Sequence, residues 1–416
     1  MPELNPLTEL RLSAVRTHNE AVQVWTEHHD ELEGRLFVLS QLGPTSMNWP
    51  ARIDLNGGGY LRSVFAHDML WFTSHDILAG MFGENQRVDL ALDYTVGFDS
   101  NVAQYLCNLV EGRLSPVVLR FRDSLRQLVE RRFNWELMPV LMERSDAILA
   151  GRGLDHVWRV VHASEYFAAC DLRHFAATGE LRPERSAEEI QAATQLNLAE
   201  WHRLLTAGEI HRVRHSHALY HVLLLKAALL HRARPSPREA CRNVCDYIEF
   251  MCGTVGINLP WMLWAASGLF EQGGAFEPLR KLTVPSDALV ANSRNIAWDV
   301  MHYVDRRQLA QPVGRNGAFL VPYTLTFDRG LAQWFDQQAQ RSCLMQEGDR
   351  MPQFFAEFNI EGEVLARYGN DRALVDVVAR HLTTNAHAER SERLRQRHRD
   401  LGPLVAEMET AAARIS

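Results

Sequence analysis

The sequence predicts a predominantly α-helical protein that contains an α/β core. Apolar residues recur at helical spacing over most of the 416 residues. Residues 88–98 instead alternate between apolar and polar side chains, which is the period of a β-strand. Residues 318–325, with the sequence AFLVPYTL, are a second strand candidate, although Pro322 is unusual within a central strand. An acidic residue and then a helix follow each candidate strand, as in open α/β sheets.

Composition and charge exclude several classes of protein. The chain is 46% hydrophobic and 23% charged, which is typical of a folded protein and unlike a disordered one. The net charge is −7, so any contact with nucleic acid must depend on a local basic patch. The six scattered cysteines fit a reducing compartment better than a disulfide framework. No signal peptide or membrane-spanning stretch is recognised, so the sequence predicts a cytoplasmic protein.

Periodicity and breaks in composition divide the chain into four predicted parts. These parts are an N-terminal mixed segment (1–87), a discontinuous α/β core (88–150 and 285–335), an α-helical insertion (151–284) and C-terminal helices (336–416). The two pieces of the core each contain one of the candidate strands. The insertion would therefore interrupt a single sheet.

The N-terminal segment carries three local signals. Residues 11–35 have the spacing of one amphipathic helix, and residues 36–42 predict a short strand. Gly57, Gly58 and Gly59 form a run that could cradle a phosphate. The run lacks the lysine and hydroxyl residue of a P-loop and the spacing of a dinucleotide fingerprint. A plain turn is therefore the favoured interpretation.

The two candidate strands are expected to lie side by side. Both lead into helices, and parallel neighbours need helical crossovers. We therefore expect the strand that ends at Asp99 to pair in parallel with the strand that precedes Asp328. The alternation in the first strand is unlike a strand that is buried on both faces, so it predicts a position near one edge of the sheet.

Acidic residues end three apolar runs. Asp99 and Asp328 follow the candidate strands, and Asp299 ends the helical run NIAWD. A bare carboxylate in apolar surroundings is costly unless it is paired or binds a metal. Carboxylates that converge repel one another and need a cation, for which Mg²⁺ and Mn²⁺ are suited because they prefer oxygen ligands. We expect these three carboxylates to lie within about 8 Å of one another, the scale of a two-metal site.

The order of these motifs resembles that of PIN-like nuclease domains. Those domains have a strand ending in D-x-N, an acid on a later helix, a helix with a third acid, and a strand ending in T-x-D. The matching residues here are Asp99 and Asn101, Glu143 in MPVLMERS, Asp299 in NSRNIAWDVMHY, and Thr326 with Asp328. The two segments NIAWDVMHYVDRR and AFLVPYTLTFDRGL are similar to the closing half of large bacterial PIN-like proteins. The resemblance covers about 60 residues before the predicted insertion and about 50 after it.

This resemblance implies a PIN-like parallel sheet interrupted by the helical insertion. It also implies a metal-dependent nuclease, with RNA favoured over DNA as the substrate. The implied ligands of Mg²⁺ or Mn²⁺ are Asp99, Glu143, Asp299 and Asp328. Asn101 and Thr326 would hydrogen-bond to carboxylates or phosphate, and Arg294 or Arg306 would bind substrate.

Two assignments stay open within this hypothesis. The second acid is uncertain because 156 residues separate Glu143 from Asp299, so Glu136 and Glu165 compete with Glu143. The helix that carries Asp299 would place it on one face with three polar residues, which are His302, Tyr303 and Arg306. For His302, a half-buried position with satisfied hydrogen bonds is the favoured interpretation.

Other patterns support rival hypotheses. Basic runs such as Arg120, Arg122 and Arg126 are usually solvated helix faces, although together they could follow a nucleic-acid backbone. The pairs His211/His215 and His217/His221 could bind zinc in a small-molecule hydrolase, but no third ligand is evident. The main alternative to a nuclease is a catalytically inactive helical protein that binds a protein partner through the insertion. Neither hypothesis involves a membrane.

Overall fold

The positions of helices and strands come from a computed structural model. It describes residues 4–44, 47, 49–82, 91–130, 133–151, 153–284, 288–313, 318–346, 352–357, 359–369, 371–382 and 401–414. The chain separates into two compact units. The first comprises Met1–Thr206, His302–Asp328 and Trp334–Glu357, and the second comprises Ala207–Met301, Arg329–Gln333 and Phe358–Ser416.

The described part of the chain is mostly helical, with an α/β part, as the sequence predicts. The helices are α1 (Pro6–Ala14), α2 (His18–Glu27), α3 (His75–Phe82), α4 (Ser100–Val110), α5 (Pro116–Val129), α6 (Met138–Glu143), α7 (Ser145–Ala150), α8 (Leu154–Ala168), α9 (Leu172–Thr178), α10 (Ala187–Leu204), α11 (Ile210–Ala233), α12 (Ala240–Ile248), α13 (Pro260–Gln272), α14 (Leu289–Gln308), α15 (Arg329–Gln337), α16 (Ile360–Tyr368), α17 (Arg372–His381) and α18 (Leu401–Arg414). Short 3-10 turns cover His29–Glu31, Pro237–Glu239, Gly273–Ala275 and Glu277–Leu282, and π-helical turns cover Leu205–Glu209 and Glu249–Val255. None of the helices that the structure describes is both long enough and apolar enough to span a membrane.

The strands all belong to the first unit and form two sheets. They are β1 (Arg35–Gln41), β2 (Arg52–Asp54), β3 (Tyr60–Ser63), β4 (Met69–Thr73), β5 (Leu92–Phe98), β6 (Asn134–Glu136), β7 (Pro312–Val313), β8 (Ala318–Thr326), β9 (Gln340–Gln346) and β10 (Gln353–Ala356). One sheet is antiparallel, in the order β10-β9-β1-β4. The other has the order β2-β3-β8-β5-β6, with β7 also paired to β8.

The two strands predicted from sequence are parallel neighbours, which confirms that expectation. Their register runs from Leu92 opposite Phe319 to Phe98 opposite Leu325. β6 pairs in parallel with the other side of β5, so that Gly97 lies opposite Glu136. β3 is antiparallel to β8. The sheet is therefore mixed, and its parallel part consists of β8, β5 and β6 among the described strands.

The expectation that β5 has one solvent-facing side is wrong. Its residues from Tyr94 to Phe98 are buried on both faces. The reason lies at Gly97, where a Cβ atom would stand 2.7 Å from the guanidinium carbon of Arg306. At Gly97, the polar face of the strand is thus covered by a buried arginine instead of water. Residues 88–90 of the predicted strand lie outside the described residues.

The single helix predicted for residues 11–35 is also wrong, because the chain forms α1 and α2 there. Thr17 starts α2 with a capping box. The Glu20 N–H donates to Thr17 Oγ1 at 3.3 Å, and the Thr17 N–H donates to Glu20 Oε2 at 3.1 Å. The apolar stripe continues across the break because Leu12, Val15 and Trp25 pack into one core cluster. The short strand predicted next is confirmed as β1.

The segment 336–416 contains two strands in addition to the predicted helices. β9 pairs with β1 on one side and with β10 on the other. The sequence of β9, QRSCLMQ, carries polar residues that give no alternating pattern, yet Gln340, Arg341 and Ser342 are buried. The N-terminal segment likewise joins the core through β3, which pairs with β8.

The compact units divide after Thr206, whereas the predicted insertion begins at residue 151. In the first unit, α8 packs between α4 and α10, and α5 packs against α9. In the second unit, α11 packs against α18, and α12 packs against α13 and α17. The helices from α8 to α10 are therefore part of the unit that holds the sheets.

Candidate functional site

The candidate site lies at the carboxyl ends of β5 and β8. Asp99 directly follows β5, Thr326 ends β8, and Asp328 comes two residues later. Because the strands are parallel, these ends lie at the same edge of the sheet, where open α/β sheets bind ligands. The backbone N–H of Asp99 also donates to the carbonyl of Leu325, at 3.4 Å.

Asp99 is a buried carboxylate with two roles in the fold. One oxygen, Oδ1, accepts a hydrogen bond from the Val102 N–H at 2.7 Å and so caps α4. The other oxygen accepts a hydrogen bond from the hydroxyl of Thr326. These bonds favour the ionised form, but burial, aided by the negative charge of Asp328, raises the pKa of Asp99 to about 6.

The hydroxyl of Thr326 connects the two acids. It donates to Asp99 and accepts a hydrogen bond from the backbone N–H of Asp328, at 2.9 Å. The negative charge of Asp328 also contributes to the raised pKa of Asp99. The hydroxyl of Thr326 therefore joins the Asp99 carboxylate to the backbone of Asp328, although β5 and β8 are more than 200 residues apart in the chain.

Glu143 lies beside the same strand end. Its Oε2 accepts a hydrogen bond from the hydroxyl of Ser100, the residue after Asp99, and its side chain is 19% exposed. The competing acids have other partners. Glu136 forms an ion pair with Arg306, and Glu165 accepts a hydrogen bond from the amide of Asn197 at 3.0 Å.

Asn101 presents its backbone rather than its side chain to the site. Its N–H faces the carboxylate of Asp99 and favours ionisation of that group. The side chain of Asn101 is exposed. Its predicted contact with carboxylates or phosphate through the side-chain amide stays a prediction.

Asp299 and Arg294 lie on α14, in the part of the helix assigned to the second unit. The guanidinium of Arg294 pairs with Glu409 of α18 at 2.6 Å. Glu409 also accepts a contact from His221 Nε2 at 2.9 Å. The approach of Asp299 to Asp99 stays a prediction, and so does substrate binding by Arg294.

The remaining polar residues on α14 are buried. Arg306 is 0% exposed and pairs with Glu136, and burial lowers its pKa to about 9. Tyr303 donates a hydrogen bond to the carbonyl of Gln338. His302 was expected to be half-buried with satisfied hydrogen bonds. It is fully buried instead, next to the backbone carbonyl of Pro139.

His302 has one charged neighbour in the first unit. Burial lowers the pKa of His302, while Glu143 and the carbonyl of Pro139 act in the opposite direction. The negative charge of Glu143 therefore favours the protonated imidazole, against the larger effect of burial.

Two residues near the strand ends were not predicted as site residues. Burial raises the pKa of Tyr105, and Asp99 adds to this rise, whereas Arg120 opposes it. The phenol of Tyr105 therefore feels the charge of both groups. Arg120 is exposed and supplies a positive charge at this rim. The sequence showed Arg120 only as part of a basic run, because no spacing links it to Asp99.

The three glycines form the turn between β2 and β3, which confirms the plain turn. A Cβ atom on Gly57 would lie 2.0 Å from the carbonyl oxygen of Arg120, and one on Gly59 would lie 3.0 Å from the ring of Phe327. Phe327 in turn packs edge-on against Tyr105, with ring centroids 5.5 Å apart. The glycines thus allow the turn to pack closely beside the candidate site.

The metal that the resemblance implies would need several acidic ligands at the strand ends. Over the described ranges of the chain, no three His, Cys, Asp or Glu residues are grouped so that they could hold a metal ion. Asp99 and Asp328 are a pair of carboxylates, each with oxygen lone pairs beyond the hydrogen bonds given above. Mg²⁺ commonly binds one or two carboxylates and retains water. The two residues would therefore supply two carboxylates to a Mg²⁺ ion and would leave its other positions to water.

Comparison with known proteins gives no relative. No protein family, no curated protein and no solved structure matches the chain. The resemblance to PIN-like domains therefore depends on the order of the motifs alone.

Proposed function

We propose that this chain is a metal-dependent nuclease that hydrolyses phosphodiester bonds, with RNA favoured over DNA, at the carboxyl ends of β5 and β8. One observation carries the proposal. The hydroxyl of Thr326 donates to the carboxylate of Asp99 and accepts from the backbone N–H of Asp328, so two acids meet at one strand end, and the pKa of the buried Asp99 is raised to about 6.

Convergence of this kind leaves negative charge uncompensated when both groups are ionised. Burial and a neighbouring like charge both disfavour ionisation of Asp99. A Mg²⁺ or Mn²⁺ ion held by Asp99 and Asp328 would offset both effects. When bound, such an ion lowers the pKa of water and stabilises the charge that develops on a phosphodiester.

The surrounding side chains have separate roles in the proposal. Thr326 orients the carboxylate of Asp99, and Ser100 orients Glu143, which is the third acid at this edge. Arg120 is exposed beside Tyr105 and would bind a phosphate oxygen. Asp299 would be the fourth acid, as the motif order implies.

The second candidate function is an inactive helical protein that binds a protein partner. Two observations favour it. Each oxygen of Asp99 already accepts a hydrogen bond that the fold requires, so the acid has a structural role without a ligand. Arg294 forms an ion pair with Glu409, and Arg306 forms one with Glu136, so both arginines have structural partners without a substrate.

A metal titration of the full chain separates the two candidates. We expect millimolar Mn²⁺ to raise the melting temperature of the wild-type protein and to support cleavage of single-stranded RNA. A ligand at ten times its Kd stabilises a protein by about 1.4 kcal/mol, which is a shift of a few degrees. The Asp328→Asn variant should lose both responses, because one anionic ligand is gone.

The matched control is Asp30→Asn, which removes the same charge from a fully exposed position. It should behave like the wild-type protein. If the wild-type protein shows no thermal shift with Mn²⁺ or Mg²⁺ and cuts neither RNA nor DNA, the nuclease proposal is overturned. The binding of a protein partner then becomes the better-supported function.

A further inference from the structure

A cleft of about 550 Å³ opens in the first unit beside the end of β6. Its volume is within the range of sites that hold small ligands. Residues from β6, α6, α8 and α10 line it, and all four elements belong to the first unit. The residues that matter for its chemistry are Trp135, Glu136, Glu165, Asn197 and Trp201.

The cleft is a close neighbour of the candidate site. Glu136 lies opposite Gly97, which is two residues before Asp99 on the adjacent strand. Adjacent strands are about 4.8 Å apart, and two strand residues span about 6.6 Å. In addition, α6 contributes Met138 to the lining of the cleft and ends at Glu143, which contacts Ser100. One oligonucleotide could therefore occupy both places.

Aromatic and polar groups are combined in the cleft. Trp135 and Trp201 are both half-buried, so each keeps part of its indole accessible. The Nε1–H of Trp135 donates to Ser164 Oγ at 3.1 Å, which fixes that indole. Proteins bind the bases of single-stranded nucleic acids by stacking them on such aromatic side chains.

The polar groups of the cleft favour hydrogen-bond donors on the ligand. Glu165 is a carboxylate, which only accepts hydrogen bonds, and the 3.0 Å bond from Asn197 uses one of its acceptor sites. Guanine is the base that presents two adjacent N–H donors, at N1 and N2, to such a carboxylate. The other bases place an acceptor next to their donors. The negative charge of Glu165 also disfavours a phosphate inside the cleft.

We propose that this cleft is a guanine-binding subsite, with Trp201 as the stacking platform and Glu165 as the group that reads the base. The inference takes its substrate class from the proposed nuclease function. Base binding itself needs neither the metal nor the cleavage step. The two proposals can therefore fail separately.

Calorimetric titration of the full chain with the four ribonucleoside monophosphates, without metal, tests the subsite. We expect GMP to bind at least tenfold more tightly than AMP, CMP or UMP. Glu165→Gln should abolish this preference, because the amide presents a donor to one of the guanine donors. Trp201→Ala should weaken binding of GMP by about tenfold or more, and Trp201→Phe should retain most of it.

The control is Trp71→Ala, at a tryptophan that is 37% exposed and stacks on His18 away from the cleft. It should bind GMP like the wild-type protein. Equal binding of the four nucleotides, or no binding of any, would overturn the inference. Tetramethylammonium chloride is titrated in parallel, since an acidic aromatic cleft also suits a cation. Binding of that cation without binding of GMP would likewise overturn it.

Discussion

Asp99 links the stability of the first unit to pH. Its pKa is about 6 in the folded protein, against an ordinary value of 3.8. Burial favours the protonated form of Asp99 in the folded protein. The stability that this group contributes is therefore complete at pH values below its pKa in the unfolded chain. That contribution is lost as the pH rises from about 4 to about 6, and the loss amounts to about 3 kcal/mol.

We therefore expect Asp99→Asn to gain stability relative to the wild-type protein as the pH rises. The difference in free energy of unfolding should grow between pH 4 and pH 6 and then level off. Urea denaturation at several pH values, without divalent metal, measures it. Millimolar Mn²⁺ should reduce the difference, because the ion stabilises the ionised wild-type carboxylate. A variant that is less stable by the same amount at every pH would show that Asp99 acts only as a helix cap.

Asp299 gives a second prediction at the scale of one residue. If it belongs to the acidic site, Asp299→Asn removes repulsion in the metal-free protein and removes a ligand from the metal-bound one. We expect an unchanged or higher melting temperature without metal and a smaller rise with Mn²⁺, together with loss of RNA cleavage. A lower melting temperature without metal, and an unchanged response to Mn²⁺, would assign Asp299 a purely structural role.

Gly97 is required by the buried arginine that covers it. An alanine methyl would lie 2.7 Å from the guanidinium carbon of Arg306, which cannot move freely because it pairs with Glu136. We expect Gly97→Ala to cost about 1–3 kcal/mol of stability, the usual effect of overpacking a core. Gly402→Ala is the comparison variant, since no atom lies within 4 Å of its added methyl. A neutral Gly97→Ala would show that Arg306 can leave this position.

At the scale of elements, the capping box of α2 explains why one predicted helix is two. Thr17→Ala removes the side-chain acceptor for the Glu20 N–H, and we expect a loss of about 1 kcal/mol in thermal or urea unfolding. Thr17→Ser keeps the hydroxyl and should lose little. Equal losses in the two variants would mean that the methyl group of Thr17, rather than the cap, matters.

The elements that could be predicted from sequence are those with a clear period or a polar end. β5 and β8 stood out because an acid follows an apolar run in each, and this also identified Asp99 and Asp328. β9 gave no signal, because its buried Gln340 and Arg341 make contacts that only the tertiary structure supplies. The strand ends could be identified as a candidate site because an acidic residue follows each apolar run. Arg120 and Tyr105 were not, because they reach the site through helix packing.

At the scale of the whole molecule, the reactivity of the six cysteines can show the unfolding of each unit separately. Cys107, Cys170 and Cys343 lie in the first unit, and the second unit holds Cys241, Cys245 and Cys252. Five of the six are buried, and Cys241 is partly exposed. We expect at most one thiol to react quickly with an alkylating reagent in the folded protein, and all six to react in urea.

Mass spectrometry of the labelled peptides then assigns each unfolding step to a unit. Gly97→Ala should lower the urea concentration at which the three thiols of the first unit become labelled, because the glycine lies in that unit's sheet. Rapid labelling of several thiols without urea would contradict the burial described for them.

The pairing of β5 with β8 also determines when, during synthesis of the chain, the two acids can come together. During synthesis, the ribosome adds 229 residues after Asp99, the last of which is Asp328. At about 5–20 residues per second, this interval is about 11–46 s. Throughout it, the nascent chain has the first carboxylate without the second and without the hydroxyl of Thr326. Any chemistry that depends on the pair, including the RNA cleavage that we propose, is therefore withheld until β8 has been made.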